Sequence, residues 1–409
     1  MAKLSMVTAN IPHNLKSALS GKTTSFFVLA IWFFYLITSP FYVFPNGGPQ
    51  PADFILILAM FPVLASLFMH LKTKKISTIY IIGILFVLTT IGINLINYYF
   101  FPDRRFLLTS LIYPYNFLIF IFVTWLFQRD FEKAKFFTFY GILATIIIQF
   151  IVVYFTDFGR IGYRETGAFG NPNQFAYWVL LTAAMLLFLK RGEKLTLVDW
   201  GMLVILLLLQ SLALSKAGII AHIIMMISIF FTKQVSKKTY LVILLALFLG
   251  TFYTLFNPSN ITYITDRVEP LKNVITRLQG IGTEADDSPE ARGYYRIIEH
   301  PIYTLLGSGE GAFYRFNDEG YNRELHSGIA TIIFSYGLLG STLFTFFLGL
   351  IIYKQPWYYI LLFAPMLLYG LTHQNFRFAH FWIFLGINYG VFLAKQRQQR
   401  REQEQIEEC

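Results

Sequence analysis

Long uninterrupted apolar runs separated by short polar stretches recur along almost the whole chain. A helix needs roughly 20 apolar residues to cross a hydrocarbon core of about 30 Å, so the pattern predicts membrane-spanning helices. Twelve such runs can be read, near 24–44, 52–71, 76–101, 106–128, 136–155, 175–189, 197–213, 217–232, 239–256, 328–353, 357–372 and 379–394. The runs are continuous rather than alternating. That excludes a membrane β-barrel and predicts an all-α, polytopic integral membrane protein of about 12 transmembrane helices.

Most connections between runs are short, and the chain reads as a single membrane domain over 1–409 with a polar tail at 395–409. Two connections are long, 156–174 and 257–327, and function on a scaffold of packed helices is expected where long loops sit. The first ends in GNPNQFAYWVLL, where residues that hydrocarbon disfavours open an apolar run. Pro172 fits a first helical turn and Asn171 can cap the free amides of Asn173 and Gln174, so this motif predicts a helix start. The second loop contains DDSPEARGYYRIIEHP, which predicts a short helix capped by Ser288, opened by Pro289 and Glu290, and stopped by Pro301. Arg292, Arg296 and His300 would then share one face. The GSGEGAFYRF that follows predicts a glycine-rich turn. Outside the cell there is no nucleotide pool, so a nucleotide-binding reading of it is poor.

Composition narrows the class. With 56% hydrophobic and 14% charged residues, and 44 Phe among 409 residues, the chain is far too apolar for a soluble protein. Its net charge of +10 reads as a topology signal. With the N-terminus in the cytoplasm, KTKK (72–75), RDFEKAK (129–135), KRGEK (190–194), KQVSKK (233–238) and KQRQQRR (395–401) all face inward. Of the 33 Lys and Arg, 20 then lie inside with 8 acids and 13 outside with 15, which argues against a nucleic-acid footprint. Both termini are expected in the cytoplasm and the two long loops outside it. The first run is too long for a signal-peptide core and lacks a small-residue cleavage site, so it is expected to stay as an anchor. Cys409 is the single cysteine, so neither a disulfide nor a Cys-based metal site is expected.

Charges at membrane depth cost on the order of 3 kcal/mol each on insertion scales, so those kept at the outer ends of runs point to a site. They are Arg160 and Arg164 in TDFGRIGYRETGAFGNPN, Lys216 in LALSKAGIIAH, Arg292 and Arg296, His326 in RELHSGIATIIFSYGLLG, and Arg377 in THQNFRFAHFW. Guanidinium groups grip phosphate oxygens bidentately, and a histidine can take a proton from a hydroxyl. Together they suit a phosphate-bearing lipid donor attacked by an alcohol. Each also has a plainer reading. Lys216 can snorkel to the interface, Arg160 and Arg164 can meet lipid headgroups, and His326 can cap its helix or pair with Glu324. His222 and His380 fit packed or interfacial positions, and Asp286 with Asp287 fits a helix start better than a metal pair. No metal and no cofactor are expected. Transport of a lipid-linked sugar is the reading from another class. It predicts ionisable residues near mid-membrane, whereas the polar groups inside these runs are mainly of the kind of Asn94, Asn97, Asn116 and Gln149.

In their order and spacing, GNPNQFAYWVLL, SKAGIIAHII, Arg292 followed by YYRIIEHP, GSGEGAF and LHSGIATIIFSYGLLGSTLF resemble the O-antigen polymerase and ligase family of bacterial envelope glycosyltransferases. The likeness covers the second half of the chain by motif and the first half only by the number of runs. It implies a GT-C-like fold in the bacterial inner membrane, an active site facing the periplasm, and an undecaprenyl-pyrophosphate-linked glycan as donor. By the same resemblance His326 would deprotonate the acceptor hydroxyl, while Arg160 or Arg164, Arg292 and Arg296 would hold the pyrophosphate. Asn171, Asn173, Lys216, His300 and Arg377 would line the substrates. The family usually has arginine where this chain has Lys216, which keeps the charge and loses the fork. The ending GLTHQNFRFAHFWIFLG resembles the last external turn of polymerases. The expected activity is therefore transfer of a growing glycan onto the next lipid-linked repeat unit, with a chain-length regulator as partner. A ligase, which attaches the chain to lipid A core oligosaccharide, or a related transferase shares the donor and differs in the acceptor glycan or protein.

Overall fold

Every regular element in the computed structural model is helical, over the described residues 23–44, 48–71, 77–157, 164–232, 234–242, 269–282, 288–289, 292–316, 324–353 and 355–407. The first half comprises α1 (Thr23–Thr38), α2 (Pro51–Leu71), α3 (Thr78–Phe100), α4 (Arg104–Arg129), α5 (Phe131–Asp157), α6 (Pro172–Leu189), α7 (Leu197–Leu212) and α8 (Lys216–Ile229). The second comprises α9 (Glu269–Gln279), α10 (Tyr295–Glu299), α11 (Pro301–Leu306), α12 (Gly328–Ile352), α13 (Trp357–Ile360), α14 (Ala364–Thr372) and α15 (Ala379–Glu407). Their starts follow from local chemistry. Asp103 accepts from the Arg105 amide at 2.9 Å ahead of α4, Thr196 and Asp199 form a capping box on α7, and Ser215 and Ser327 cap α8 and α12.

Among the described residues, five helices are long and apolar enough to cross a membrane: α3, α4, α5 over Phe131–Thr156, α6 and α12. The chain is therefore a multi-pass membrane protein. Leu88, Ile96, Leu108, Leu111 and Ile147 stand exposed on these helices, an arrangement that lipid tolerates and water would not.

The count of twelve spans does not hold. The runs near 24–44, 197–213, 217–232 and 357–372 give apolar helices in the 10–17 residue class. At 1.5 Å per residue such helices reach roughly 15–26 Å, short of a core of about 30 Å. The 357–372 run is further broken by a turn at 361–363, between α13 and α14, just before Pro365 in the first turn of α14. The 379–394 run opens α15, which continues into a polar half, and most of the 239–256 run lies outside the described residues.

The core is built on α6, buried from Phe175 to Leu189 and surrounded by α5, α7, α8, α14 and α15. The most extensive helix pair is α15 against α4. GINYG at 386–390 allows this approach, because a Cβ on Gly386 would fall 2.8 Å from Val123 Cβ and one on Gly390 2.7 Å from Phe127 Cβ. Aromatic rings fill the neighbouring seam: Phe347 stacks on Trp382 at 5.6 Å, and Phe86 meets Phe344 at 5.0 Å.

Connections gather at two ends of this bundle. At one end Lys135 pairs with Glu193, Lys190 with Asp199 at 3.4 Å, and Arg397 donates to the Gln128 carbonyl at 2.9 Å. The other end collects 101–103, 164–171, 213–215, 307–312, 324–327 and 373–378, and it carries the candidate site.

Candidate functional site

The Asn-Pro-Asn turn is both a cap and an anchor. The Asn171 side chain accepts from the amides of Asn173 at 2.9 Å and Gln174 at 3.3 Å, with Pro172 in the first turn of α6. Asn173 then faces outward from the helix start. Its side-chain oxygen accepts from the Arg164 guanidinium at 2.6 Å, and its carbonyl accepts from the Tyr369 hydroxyl at 2.6 Å. Arg164 also donates to the Ala213 carbonyl at 3.3 Å, which ties it to the turn between α7 and α8. Arg160 lies outside the described residues, as do Asp286 and Asp287.

That same turn gathers further cations. Arg277, on α9, donates to the Leu214 carbonyl at 3.3 Å. Lys216 opens α8 and donates to the Gly280 carbonyl at 2.7 Å. Thus the 213–216 stretch, the start of α6 and the end of α9 bring Arg164, Lys216 and Arg277 to one neighbourhood.

The helix expected over 289–300 does not form as one piece. Gly293 takes φ +79°, a left-handed conformation that turns the chain, and the regular helix begins only at Tyr295. The short helix does end just before Pro301, as expected, and Pro301 also opens α11. Consequently Arg292 and Arg296 part company. The Arg292 guanidinium donates to the Thr372 carbonyl at 2.6 Å. Arg296 is buried, with its guanidinium 5.7 Å from the Tyr295 ring and 5.5 Å from that of Phe316. His300 follows it into the aromatic cluster, 5.2 Å from Phe316.

The start of α12 meets the corner between α14 and α15. Ser327 caps α12 through the Ala330 amide at 3.1 Å, donates to the Gly370 carbonyl at 2.9 Å, and lies 2.8 Å from the Tyr294 hydroxyl. The Gly328 amide donates to the His373 carbonyl at 2.9 Å, and the His326 amide to the Arg292 carbonyl at 3.2 Å. His326 is exposed at this edge. His373 lies inside, its ring stacked on Tyr369 at 4.7 Å and its Nδ1 2.8 Å from the Thr372 hydroxyl. Burial pushes the His373 imidazole down to about 3, with Arg292, Arg164 and His326 each adding repulsion. Three residues singled out by sequence therefore converge on a fourth that was not.

Arg377 belongs to a separate network next to this corner. It pairs with Glu310 and with Glu324, the latter at 2.9 Å. Arg377 holds the Glu324 carboxyl below its usual range. Burial acts to lower the Arg377 pKa, yet the two carboxylates outweigh it and hold the guanidinium above its ordinary value. Glu310 reaches this pair because the 307–312 turn is drawn into the bundle. Gly337 takes φ +62° within α12, and the amides of Ser308 and Gly309 donate to the Phe334 and Ser335 carbonyls at 3.0 and 2.8 Å. Asn94 accepts from the Glu310 amide at 2.9 Å, Asn97 donates to the Gly307 carbonyl at 3.3 Å, and Asn116 donates to the Arg377 carbonyl at 2.9 Å. The Gln149 side chain likewise accepts from the Ala168 amide at 3.0 Å. The polar side chains within the apolar runs thus hold loops in place.

Sequence reasoning passed over His373, Tyr369, Arg277 and Glu310. His373 carried a signal, since it stands in the same THQNFRFAHFW turn as Arg377. Arg277 had only its place in the long loop, and Glu310 was masked by the glycines around it. No family model matches the chain, and no curated protein matches it.

Proposed function

We propose that the chain is a membrane glycosyltransferase of the polysaccharide-polymerase type, with a GT-C-like architecture. It would transfer a growing glycan from undecaprenyl pyrophosphate to the non-reducing-end hydroxyl of another lipid-linked repeat unit. One observation carries this reading: Arg292 bonds the Thr372 carbonyl beside His373, Arg164 bonds Asn173, which also accepts from the Tyr369 stacked on His373, and the His326 amide bonds the Arg292 carbonyl, where the starts of α6 and α12 meet the end of α14. Cations supplied by neighbouring helix ends suit a diphosphate, and a histidine at the exposed edge suits an incoming hydroxyl.

In the proposed step the acceptor oxygen attacks the anomeric carbon of the donor glycan. The bond from that carbon to the phosphate oxygen breaks, and its electron pair leaves on the pyrophosphate. His326 takes the hydroxyl proton. Arg164 and Arg292 stabilise charge on the departing phosphate, and by the family resemblance Arg160 and Lys216 are further candidates for holding the diphosphate. Arg377, matched by Glu310 and Glu324, is assigned to holding the corner, and Arg296 with His300 to the aromatic wall behind it. The Lys and Arg bias of the connections supports an orientation with both termini in the cytoplasm and the site toward the periplasm, and the inner membrane follows from the proposed donor.

The test is the glycan profile of a deletion strain complemented with the wild-type chain or with His326→Ala. Surface lipid carrying single repeat units, extended only by the wild type, supports the polymerase. Long chains stranded on the undecaprenyl carrier instead make the protein a ligase.

A further inference from the structure

At the end of the bundle opposite the candidate site, a cavity of about 450 Å³ lies between the 190–192 turn, Gln234, the start of α13 and the middle of α15. Its charged lining is Arg191 and Lys395; Gln234 and Gln396 add amide groups, Tyr358 and Tyr359 add aromatic walls, and no described carboxylate lines it.

Both cations are held in place by the fold. Arg191 donates to the Gln355 side chain and lies 5.0 Å from the centre of the Tyr359 ring. The Lys395 ammonium donates to the Arg191 carbonyl and rests over Gly192, where a Cβ would stand 2.9 Å from it. Gln234, 1% exposed, is fixed by its bond to the Leu187 carbonyl at 2.7 Å. Glu193 and Glu132 act on Lys395 from outside the lining, and Glu193 is engaged by Lys135. Burial lowers the pKa of Arg191 and of Lys395, and Arg191 lowers that of Lys395 further. Two like charges in one cavity oppose each other, and a bound anion would offset this.

The chain next to the lining says which anion. Tyr353, Trp357 and Phe231, within three residues of the lining Pro356 and Gln234, are 80%, 63% and 52% exposed, and the last two rings lie 6.3 Å apart. Exposed aromatic rings at the ends of apolar helices mark the level of lipid headgroups, and basic pockets between helices at that level take headgroup phosphates.

We propose that this cavity binds the phosphate of an anionic membrane lipid, gripped by Arg191 and Lys395 with Gln396 at its edge. The headgroup would join the 190–192 turn to α15 and so brace the end of the bundle that does not carry the candidate site. This assignment does not depend on the proposed transferase activity.

The experiment uses the full chain, purified and stripped of lipid in detergent. Native mass spectrometry and thermal unfolding are recorded with phosphatidylglycerol, with phosphatidylcholine and with inorganic phosphate. Phosphatidylglycerol is expected to bind and raise the unfolding midpoint while the other two do not. Lys395→Gln is expected to weaken that binding about five-fold, as expected for removing one cation near a headgroup. Gln396→Glu, which places a carboxylate at the half-buried rim, should weaken it similarly while raising the lipid-free midpoint, because the carboxylate itself offsets the two cations, and it carries the test if Lys395→Gln fails to fold. Equal binding of phosphatidylcholine, wild-type affinity in Gln396→Glu, or equal stabilisation by inorganic phosphate would each overturn the proposal, the last in favour of a soluble anion.

Discussion

The Tyr369 hydroxyl donates a 2.6 Å hydrogen bond to the carbonyl of Asn173, tying the last turn of α14 to the first turn of α6. That bond fixes how the corner carrying His373 sits over the turn carrying Arg164. Tyr369→Phe removes it and leaves the Asn173 carbonyl with its helical partner alone. The expected cost is about 1 kcal/mol, read as a lower thermal unfolding midpoint in detergent. A larger effect on turnover than on stability would mark the bond as positioning the site.

His326 is exposed, and its backbone amide donates to the Arg292 carbonyl, a bond that alanine keeps. His326→Ala should therefore leave folding intact and lower transfer by about 10² to 10⁴-fold, the usual contribution of a general base. Purified variant and wild type, compared on a lipid-linked donor, decide this. Unchanged turnover would remove His326 from the chemistry.

Arg292 reaches the Thr372 carbonyl through one terminal nitrogen of its guanidinium, and Arg164 reaches the Asn173 side chain in the same way. Lysine keeps the charge at either position and loses the planar fork. Arg292→Lys and Arg164→Lys should each lower transfer by about ten-fold or more while expression holds, in line with a charge-assisted hydrogen bond of about 1.5–3 kcal/mol. Wild-type rates in both variants would argue that only the charge matters.

Stability should fall on acidification, as two groups act in that direction and outweigh Glu310, whose carboxyl burial pushes up and which acts the other way. The His373 imidazole sits at about 3 in the folded chain against 6.5 as its reference value. Between those values the unfolded chain binds the extra proton, so stability rises with pH across the window and is lost as pH falls through it. Glu324, held low by Arg377, acts in the same direction below its ordinary carboxylate range. Unfolding midpoints between about pH 4 and about pH 7 should climb in the wild type and climb less steeply in His373→Gln. An equal slope in the variant would refute the assignment to His373.

Gly386 and Gly390 let α15 approach α4 closely. Gly386→Leu would push its side chain into Val123 and the Phe120 carbonyl, and overpacking of this kind costs about 1–3 kcal/mol. A lower unfolding midpoint, with no comparable change for the open position Gly349→Leu, is the expected result.

Sequence by itself determined whatever depends on neighbours a few residues away. Apolar runs long enough for helices, the basic connections between them, and the Asn171 cap with Pro172 all involve contacts within a turn or two, so they could be read along the chain. The tertiary structure decided the rest. Whether an apolar run completes a span depends on where turns such as 361–363 interrupt it. Arg292 and Arg296 look equivalent at helical spacing, but the left-handed Gly293 sends one to the α14 corner and the other into aromatic packing. His373 acquires its environment from Arg164, Arg292 and His326, and Arg377 finds Glu310 only because the 307–312 turn enters the bundle beside the break in α12 at Gly337. Such pairings join residues far apart in the chain, and only the packing of helices brings them within hydrogen-bonding distance.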